Sequence, residues 1–325
     1  MRSAVHSSFG DPTTVLVMEE RPVPTPGPGQ VRVKTILSSM HNHDLLTVAG
    51  TYGYKPELPA IGGSEAVGTI DLLGDGVEDI RIGQRVSAGG LHGAWAEYFI
   101  AEAHSVVPLP DSISDETAAQ LIGMPLSALF LLKFIEAKSG QWIVQNAATG
   151  AVAKVMAMVA RQRGIKVINL VRRPEAVEEL RALGIENAVA TSSASWRSDI
   201  AAIVGAEPIV SVIDSVGGEA SGELLSLVGD GGMLVSFGGM SGKPMQISSG
   251  DLIFKQAIVK GFWLSKLLRT TPPQETGELI AELVGLVATG AVTLQVGGIF
   301  DIRDIAKAAA ASSESGRTGK ILLRP

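Results

Sequence analysis

The sequence predicts an α/β protein with two domains: a β-rich domain and a doubly wound parallel sheet of six strands. In the first part of the chain, short β-like segments such as QVRVKTIL and EAVGTIDLL are separated by Gly, Pro and Asp. From about residue 118, apolar strand-like runs alternate with helix-like runs, which is typical of parallel strands joined by right-handed crossovers. We therefore predict a β-rich domain at residues 1–117, completed by residues 267–325, and a doubly wound domain at residues 118–266.

The composition excludes several classes of protein. The chain has 325 residues, of which 46% are hydrophobic, so it can bury a large core. It has no cysteine, which excludes disulfides, iron–sulfur clusters and cysteine-ligated zinc. The net charge of -6 argues against nucleic acid or an anionic membrane as a partner. Because the start lacks a signal-like apolar core and no apolar run reaches about 18 residues, we expect a soluble, cytoplasmic protein.

The predicted strands and helices follow in chain order. QWIVQNA is an apolar strand-like run, and the segment after it places Val152, Val155, Met156 and Val159 at helical spacing. The further predicted strands are KVINLV, NAVATSS, PIVSVID, GMLVSFG and AIVKGFWL. A last long helix is predicted at about 274–289, and KILL is predicted to return to the β-rich domain. Because doubly wound sheets bind ligands at the carboxyl ends of their strands, a dinucleotide is the expected ligand.

The turn after the first of these strands, NAATGAVAK, has the small residues that a dinucleotide loop needs. Ala147, Gly150 and Ala153 form A-x-x-G-x-x-A, which permits a tight turn, backbone approach to a pyrophosphate and close packing of the next helix. A plain tight turn is the alternative. We assign this loop to the cofactor, and the predicted binding residues are Asn146, Ala148, Thr149, Gly150, Ala151 and Val152.

The end of the next strand indicates which cofactor binds. An NAD enzyme usually has an acidic residue there to hold the ribose hydroxyls, whereas this chain has Arg172 and Arg173 in NLVRRPE. Guanidinium groups match a 2'-phosphate, so we predict that the cofactor is NADPH. The alternative is a solvated, basic start of a helix.

Two further segments follow predicted strands and are expected to line the same crevice. In DSVGG and SFGGM, paired glycines let main-chain groups approach a flat nicotinamide ring, although glycines at strand ends are also ordinary turns. The residues assigned to the cofactor site are Ser215, Gly217, Phe237, Gly238, Gly239 and Met240.

Several segments, taken in order, resemble the medium-chain dehydrogenase/reductase superfamily over essentially the full chain. Within it, they resemble the zinc-independent 2-enoyl thioester reductases, including the mitochondrial trans-2-enoyl-CoA/ACP reductases. The segments are GTYGYKPELPAIGGSEAVG, GQWIVQNAATGAV, INLVRR, FGGMSGKPMQISSGDLIFK, GFWLS and GRTGKILL. The resemblance implies a Rossmann-type NADPH-binding domain and a GroES-like catalytic domain. It also implies that Phe262 and Trp263 of GFWLS line the cofactor site or an acyl channel, with packing in the core or a subunit interface as the alternative.

The stretch GTYGYKPELP holds two of the three tyrosines, and its glycines and prolines predict a loop. The resemblance places the family's catalytic tyrosine on Tyr52 and not on Tyr54. It places the arginine that binds the 2'-phosphate on Arg172. The family has a second arginine two residues further on, where this chain has Pro174, so Arg173 is the candidate substitute. The chain also departs from the family at I-N-P-S-D, which reads MHNHD.

Histidine and aspartate in MHNHD also raise the question of a metal site. The zinc branch of the superfamily has cysteine at the position of His41 and histidine at the position of Ser64. Serine is a poor zinc ligand, and His41 with His43 alone does not make a tetrahedral site. We therefore expect no metal, and we expect both histidines to serve loop hydrogen bonding or the lining of a substrate pocket.

The resemblance implies a reaction, with two alternatives left open. The implied reaction is NADPH-dependent reduction of the C=C bond of a 2-enoyl thioester, by hydride transfer to the β-carbon, in fatty acid metabolism. One alternative is a quinone or enone reductase of the same fold, and the other is a non-catalytic, NADPH-binding regulatory protein. By analogy with the superfamily, we also expect a homodimer.

Overall fold

The computed structural model describes residues 1–314 and 316–325. The chain forms two compact units. The first unit holds Met1–Met124 and Val284–Pro325, and the second unit holds Pro125–Leu283. Both ends of the chain therefore belong to the first unit.

Up to residue 118, the regular secondary structure is mainly β-strand, with short helices between the strands. The elements of this part are β1 (Arg2–His6), α1 (Pro12–Val15), β2 (Val17–Glu20), β3 (Gln30–Met40), α2 (Asn42–Val48), β4 (Ala60–Ile61), β5 (Glu65–Leu73), β6 (Arg85–Gly89), β7 (Tyr98–Glu102), β8 (Val107–Pro108) and α3 (Asp115–Ala118).

Residues 123–288 alternate between strands and helices. Their elements are α4 (Gly123–Ile135), β9 (Trp142–Gln145), α5 (Ala151–Gln162), β10 (Lys166–Val171), α6 (Glu175–Ala182), β11 (Ala188–Ala190), α7 (Trp196–Val204), β12 (Ile209–Asp214), α8 (Ala220–Leu225), β13 (Met233–Ser236), α9 (Ser249–Lys255), β14 (Ile258–Gly261), α10 (Leu264–Leu268) and α11 (Pro273–Ala288). The chain ends with β15 (Val296–Asp301), α12 (Ile305–Ser313) and β16 (Lys320–Arg324).

Strand β3 organises the larger sheet of the first unit. Its residues Val31 and Val33 alternate with exposed or half-buried ones, which is the pattern of a strand with one face on a core. The sheet has the order β15-β16-β3-β5-β6-β8, and β7 also pairs with β3. Strand β16 is antiparallel to β3, with Leu322 opposite Ser39. The segment KILL therefore returns to the β-rich unit, as the sequence predicts.

The second unit is built on a parallel sheet with the order β11-β10-β9-β12-β13-β14. The chain starts at the centre with β9, adds β10 and β11 on one side, and then adds β12, β13 and β14 on the other. All neighbouring strands in this sheet are parallel, so their carboxyl ends lie along one edge. The predicted doubly wound arrangement is confirmed, and its switch point lies between β9 and β12.

Helix α5 illustrates why the sequence folds in this way. The residues that the helical spacing predicts to be buried, Val152, Val155, Met156 and Val159, are all buried. The core of the second unit also contains Trp142, Ile168 and Leu234 from three strands. Within the described part of the chain, no helix is both long and apolar enough to cross a membrane.

Candidate active site

The predicted cofactor residues of the second unit follow five strands of its sheet. The residues Asn146, Ala148, Thr149 and Gly150 lie between β9 and α5, which begins with Ala151 and Val152. The other assigned residues directly follow β10, β12, β13 and β14. Because these strands are parallel, every assigned residue of this unit lies at the carboxyl edge of the sheet. Their individual contacts with a cofactor stay a prediction.

The loop before α5 has the geometry of an anion site. Ala147 has a φ of 48°, and the Gly150 amide donates to the Ala147 carbonyl at 2.9 Å, which closes the turn. Directly after this turn, the 12-residue helix α5 begins. The first amides of a helix lack partners within the helix, and the helix dipole favours a negative charge there. The binding of a cofactor pyrophosphate at this loop stays a prediction.

A buried carboxylate that was not singled out from the sequence holds the neighbouring loops. Asp214, the last residue of β12, accepts from Asn146 Nδ2 at 2.7 Å and from the Gly217 amide at 3.0 Å. It also accepts from Ser221 Oγ at 2.5 Å. Asn146 Oδ1 in turn accepts from the Ser215 amide at 2.7 Å. The side chain of Asn146 therefore fastens the loop after β9 to the loop after β12.

The glycine loops after β12 and β13 are in close contact. A Cβ atom at Gly238 would lie 2.8 Å from the Ser215 carbonyl oxygen, so this approach requires glycine. The Met240 amide donates to the same carbonyl at 3.2 Å. Gly217 has a φ of 77°, a conformation that favours glycine. These contacts bring the segments around Ser215 and Gly238 together at the edge of the sheet.

Both arginines after β10 are exposed. Arg173 lies 3.8 Å from Glu179, a loose contact. No ion pair of Arg172 forms among the described residues. The arginine pair is therefore accessible to an anion at the carboxyl end of β10.

The two aromatic residues after β14 differ in their surroundings. Phe262 is buried and meets Phe134 edge to face, with ring centroids 5.5 Å apart. It also lies 5.7 Å from Phe237. Trp263 is 41% exposed. Phe262 is thus part of an aromatic cluster in the second unit, and an acyl channel lined by it stays a prediction.

In the first unit, the two neighbouring tyrosines have different environments. Tyr52 follows α2, and its amide donates to the Leu46 carbonyl at 3.2 Å. Its half-buried ring lies 5.6 Å from the ring of His43. Tyr54 is exposed and stacks on His92 at 4.4 Å. The structure therefore gives Tyr52 a more enclosed position than Tyr54.

Next to this loop lies a buried group of ionisable residues. His41 Nε2 lies 2.6 Å from Glu65 Oε2 and 2.8 Å from Ser39 Oγ. Glu65 Oε1 accepts from the Ile122 amide at 2.5 Å. Lys320, the first residue of β16, is buried in the same unit. The sequence analysis did not identify Glu65 or Lys320, although a charged residue at the start of an apolar strand is a signal that could have found both.

Burial controls the protonation of this group. It raises the pKa of Glu65 to about 7 and lowers the pKa of His41 well below its usual range. Burial, together with the Arg317 charge, lowers the pKa of Lys320 to about 8. Near neutral pH, His41 is therefore neutral and Glu65 is only partly ionised.

The Nε2 atoms of both histidines have partners other than a metal. His41 Nε2 contacts Glu65 and Ser39, and His43 Nε2 lies 2.8 Å from Ser64 Oγ. Over residues 1–314 and 316–325, no group of three or more His, Cys, Asp or Glu residues could hold a metal ion. The expectation of a zinc-independent protein stays a prediction that chelation tests.

The pH dependence of the free energy of unfolding tests the raised pKa of Glu65. The pKa of Glu65 is about 7 in the folded chain against an ordinary value of 4.5, so Glu65 contributes stability that is fully present below pH 4.5. This contribution is lost as the pH rises through about 7. The stability of the wild type relative to Glu65→Gln is expected to fall by up to about 3 kcal/mol between about pH 5 and pH 8.

Denaturant unfolding of both proteins at several pH values measures this difference. His41, whose pKa is lowered, gives the opposite slope below pH 6.5, which is why the comparison with the variant is needed. Glu97→Gln is the control, because hydrogen bonds from Arg2 lower the pKa of Glu97 despite its partial burial. If the free energies of unfolding of the wild type and of Glu65→Gln change with pH in parallel, the raised pKa of Glu65 is contradicted.

Matches to family models now identify the class of protein. Residues 27–111 match the alcohol dehydrogenase GroES-like domain, and residues 151–284 match the zinc-binding dehydrogenase family. The chain belongs to the medium-chain dehydrogenase/reductase superfamily. It is an NADPH-dependent oxidoreductase of that superfamily.

The chain is similar to enoyl reductases in sequence and to a quinone oxidoreductase in structure. The chain is 31% identical to the mitochondrial enoyl-[acyl-carrier-protein] reductase of Caenorhabditis elegans over 303 residues, which are 90% of this chain and 86% of the relative. It is 30% identical to the human enzyme of the same name over 331 residues, 99% of this chain and 88% of the relative. It superimposes on Escherichia coli quinone oxidoreductase complexed with NADPH with a TM-score of 0.91, at 26% identity and with 100% of both chains covered.

Proposed function

We propose that the protein reduces the C=C bond of a 2-enoyl thioester, either an enoyl-CoA or an enoyl-[acyl-carrier-protein]. The observation that carries the proposal is the likeness to mitochondrial enoyl-[acyl-carrier-protein] reductases, which extends over 90% to 99% of the chain. The enclosed position of Tyr52 beside His43 supports it, because a proton donor must be held in a fixed orientation.

The proposed roles follow from the chemistry of an enoyl thioester. When bound, NADPH supplies a hydride for the β-carbon. Negative charge then develops on the thioester oxygen, and the α-carbon must gain a proton. The Tyr52 hydroxyl donates a hydrogen bond to that oxygen or a proton to the α-carbon. Tyr52 is thus the proposed catalytic residue.

The residues of the second unit hold the cofactor in this proposal. The loop Asn146–Gly150 and the first turn of α5 bind the pyrophosphate. Arg172 binds the 2'-phosphate with Arg173 beside it. The glycine segments after β12 and β13 let the backbone approach the nicotinamide ring. None of these roles needs a metal.

A second candidate function is reduction of a quinone or enone. The specific observation that favours it is the superposition on E. coli quinone oxidoreductase, with a TM-score of 0.91. NADPH oxidation rates on crotonyl-CoA, a longer enoyl-CoA and a quinone, measured side by side, test both candidates. We expect the thioesters to be the better substrates. Turnover of the quinone alone would contradict the thioester proposal, and NADPH oxidation with none of the three would contradict both candidates.

We also propose that two copies of the chain form a homodimer through β14. This strand ends the parallel sheet, so one side of its backbone is open for pairing. Ile258 and Val259 on β14 are 49% and 37% exposed, and Phe254 on α9 is 85% exposed. A second copy can extend the sheet across this edge and cover these apolar side chains.

Sedimentation measurements test the homodimer. Phe254→Glu places a charge in the proposed interface, so it is expected to shift the protein from dimer to monomer. Ile203→Glu is the control, because Ile203 is 38% exposed but lies on α7, which packs near the opposite edge strand β11. A wild type that sediments as a monomer, or a Phe254→Glu variant that stays dimeric, would contradict the interface.

A further inference from the structure

His43 lies in a column of three aromatic rings. Its ring is stacked on His41, with centroids 5.2 Å apart and planes 14° from parallel. The His43 ring also contacts the Tyr52 ring, with centroids 5.6 Å apart and an angle of 32° between the two ring planes. We call His41, His43 and Tyr52 the ring column. It connects the buried Glu65, which contacts His41 at 2.6 Å, to the proposed catalytic tyrosine.

The orientation of His43 is fixed from two sides. Its Nε2 lies 2.8 Å from Ser64 Oγ and 3.3 Å from Asp44 Oδ1. Asp44 is itself held, since its Oδ2 accepts from the His41 amide at 2.9 Å. A carboxylate only accepts hydrogen bonds, so these contacts favour a proton on Nε2 and leave Nδ1 of the neutral ring as an acceptor.

Of the two histidines His41 and His43, His43 is the one that solvent can reach. The side chain of His43 is 26% exposed, whereas that of His41 is 0% exposed. An imidazole ring has one nitrogen that donates and one that accepts, so a histidine that solvent reaches can pass a proton between water and its neighbours. A serine, which the family resemblance gives at this position, has no ring to stack on a tyrosine and no ring nitrogen.

We propose that His43 is a positioning residue that fixes the Tyr52 ring and returns a proton to the Tyr52 oxygen after each turnover. The inference rests on the proposed function. When Tyr52 gives its hydroxyl proton to the α-carbon, its oxygen is left negative. A solvent proton adds to Nδ1 of the neutral His43 ring, and this proton then passes from Nδ1 to the Tyr52 oxygen, directly or through a water, which leaves His43 neutral again. Each cycle therefore takes up one solvent proton, which ends on the product carbon.

The ionisable groups around His43 come from several elements. His41 lies between β3 and α2, Asp44 lies on α2, and Tyr52 lies on the loop after α2. Glu65 on β5 contacts His41 at 2.6 Å, and the charges of Lys320 on β16 and of Arg317 act on His41. The role of His43 depends on its contacts with Tyr52, Ser64 and Asp44.

The chain contains a matched control for this arrangement. Tyr54 and His92 also stack, at 4.4 Å, but both are exposed. Among the described residues, His92 has no hydrogen bond or ion pair that would fix it as Ser64 and Asp44 fix His43. The same change can therefore be made in two tyrosine–histidine pairs, of which only one is proposed to act in catalysis.

Kinetics of His43→Ala, His43→Phe and His92→Ala on an enoyl-CoA test the proposal. We expect His43→Ala to lower kcat by about 10-fold to 10²-fold, with little change in the affinity for NADPH. Added imidazole is expected to restore part of the lost rate, because it fills the vacated site and carries a proton. His43→Phe keeps a stacking ring without a titratable nitrogen, so it is expected to stay slow with or without imidazole. His92→Ala is expected to match the wild type.

A double substitution separates proton return from general destabilisation. If His43 acts through Tyr52, adding His43→Ala to Tyr52→Phe is expected to cost little further rate. Additive losses, a His43→Phe variant as fast as the wild type, or the absence of imidazole rescue would overturn the proposal.

The wild-type substrate profile distinguishes the two possible failures. A wild type that reduces a quinone but no enoyl thioester contradicts the proposed function alone, and the same variants on the quinone then decide the role of His43. A wild type that reduces thioesters, with a His43→Ala variant of unchanged kcat, contradicts the role of His43 alone. A wild type that reduces neither substrate overturns both.

Discussion

Tyr52→Phe is expected to lower kcat on an enoyl-CoA by about 10²-fold or more, the usual scale for the loss of one proton or hydrogen-bond donor. The change removes the hydroxyl and keeps the ring, so the contact of Tyr52 with His43 at 5.6 Å can remain. NADPH affinity and melting temperature are therefore expected to stay near the wild-type values. Steady-state kinetics, NADPH titration and thermal unfolding measure the three quantities.

Tyr54→Phe is the control for this substitution. Tyr54 is only two residues away on the same loop, but its ring is exposed and stacks on His92. We expect its kcat to stay within a few-fold of the wild type. If Tyr52→Phe turns over like the wild type, the proton comes from water or from another residue, and the assignment of Tyr52 is wrong.

Arg172→Ala is expected to weaken NADPH binding by roughly one to two orders of magnitude and to leave NADH binding almost unchanged. The reason is the loss of a charge-assisted hydrogen bond to the 2'-phosphate, worth about 1.5 to 3 kcal/mol. Arg172 suits this role because it is exposed at the end of β10 and forms no ion pair with the described residues. Fluorescence titration with both cofactors measures the difference.

Two arginine variants support the interpretation of that result. Arg181→Ala is the control, because Arg181 is exposed on α6 and already pairs with Glu178 at 2.6 Å. Its removal is expected to leave both cofactors unaffected. Arg173→Ala measures the contribution of the neighbouring residue, which has Glu179 at 3.8 Å. A wild type that binds NADH more tightly than NADPH would refute the assignment of the arginine pair.

The sequence alone determined the architecture of the second unit. Its apolar strands and the helical spacing of Val152, Val155, Met156 and Val159 are local patterns, and the structure buries these four residues. Parallel strands joined by helices leave their carboxyl ends at one edge, so the sequence could also place the candidate cofactor segments together. Local order along the chain carries this information because each strand and each turn is built from consecutive residues.

Only the tertiary structure decided the surroundings of individual polar side chains. Glu65 and Lys320 lie far apart in the sequence, and they are buried near His41 because β5 and β16 both flank β3. Tyr52 and Tyr54 share one loop, yet one meets His43 and the other meets His92. Burial and ring contacts of this kind depend on which strands pair across the sheet, and residue spacing does not encode that pairing.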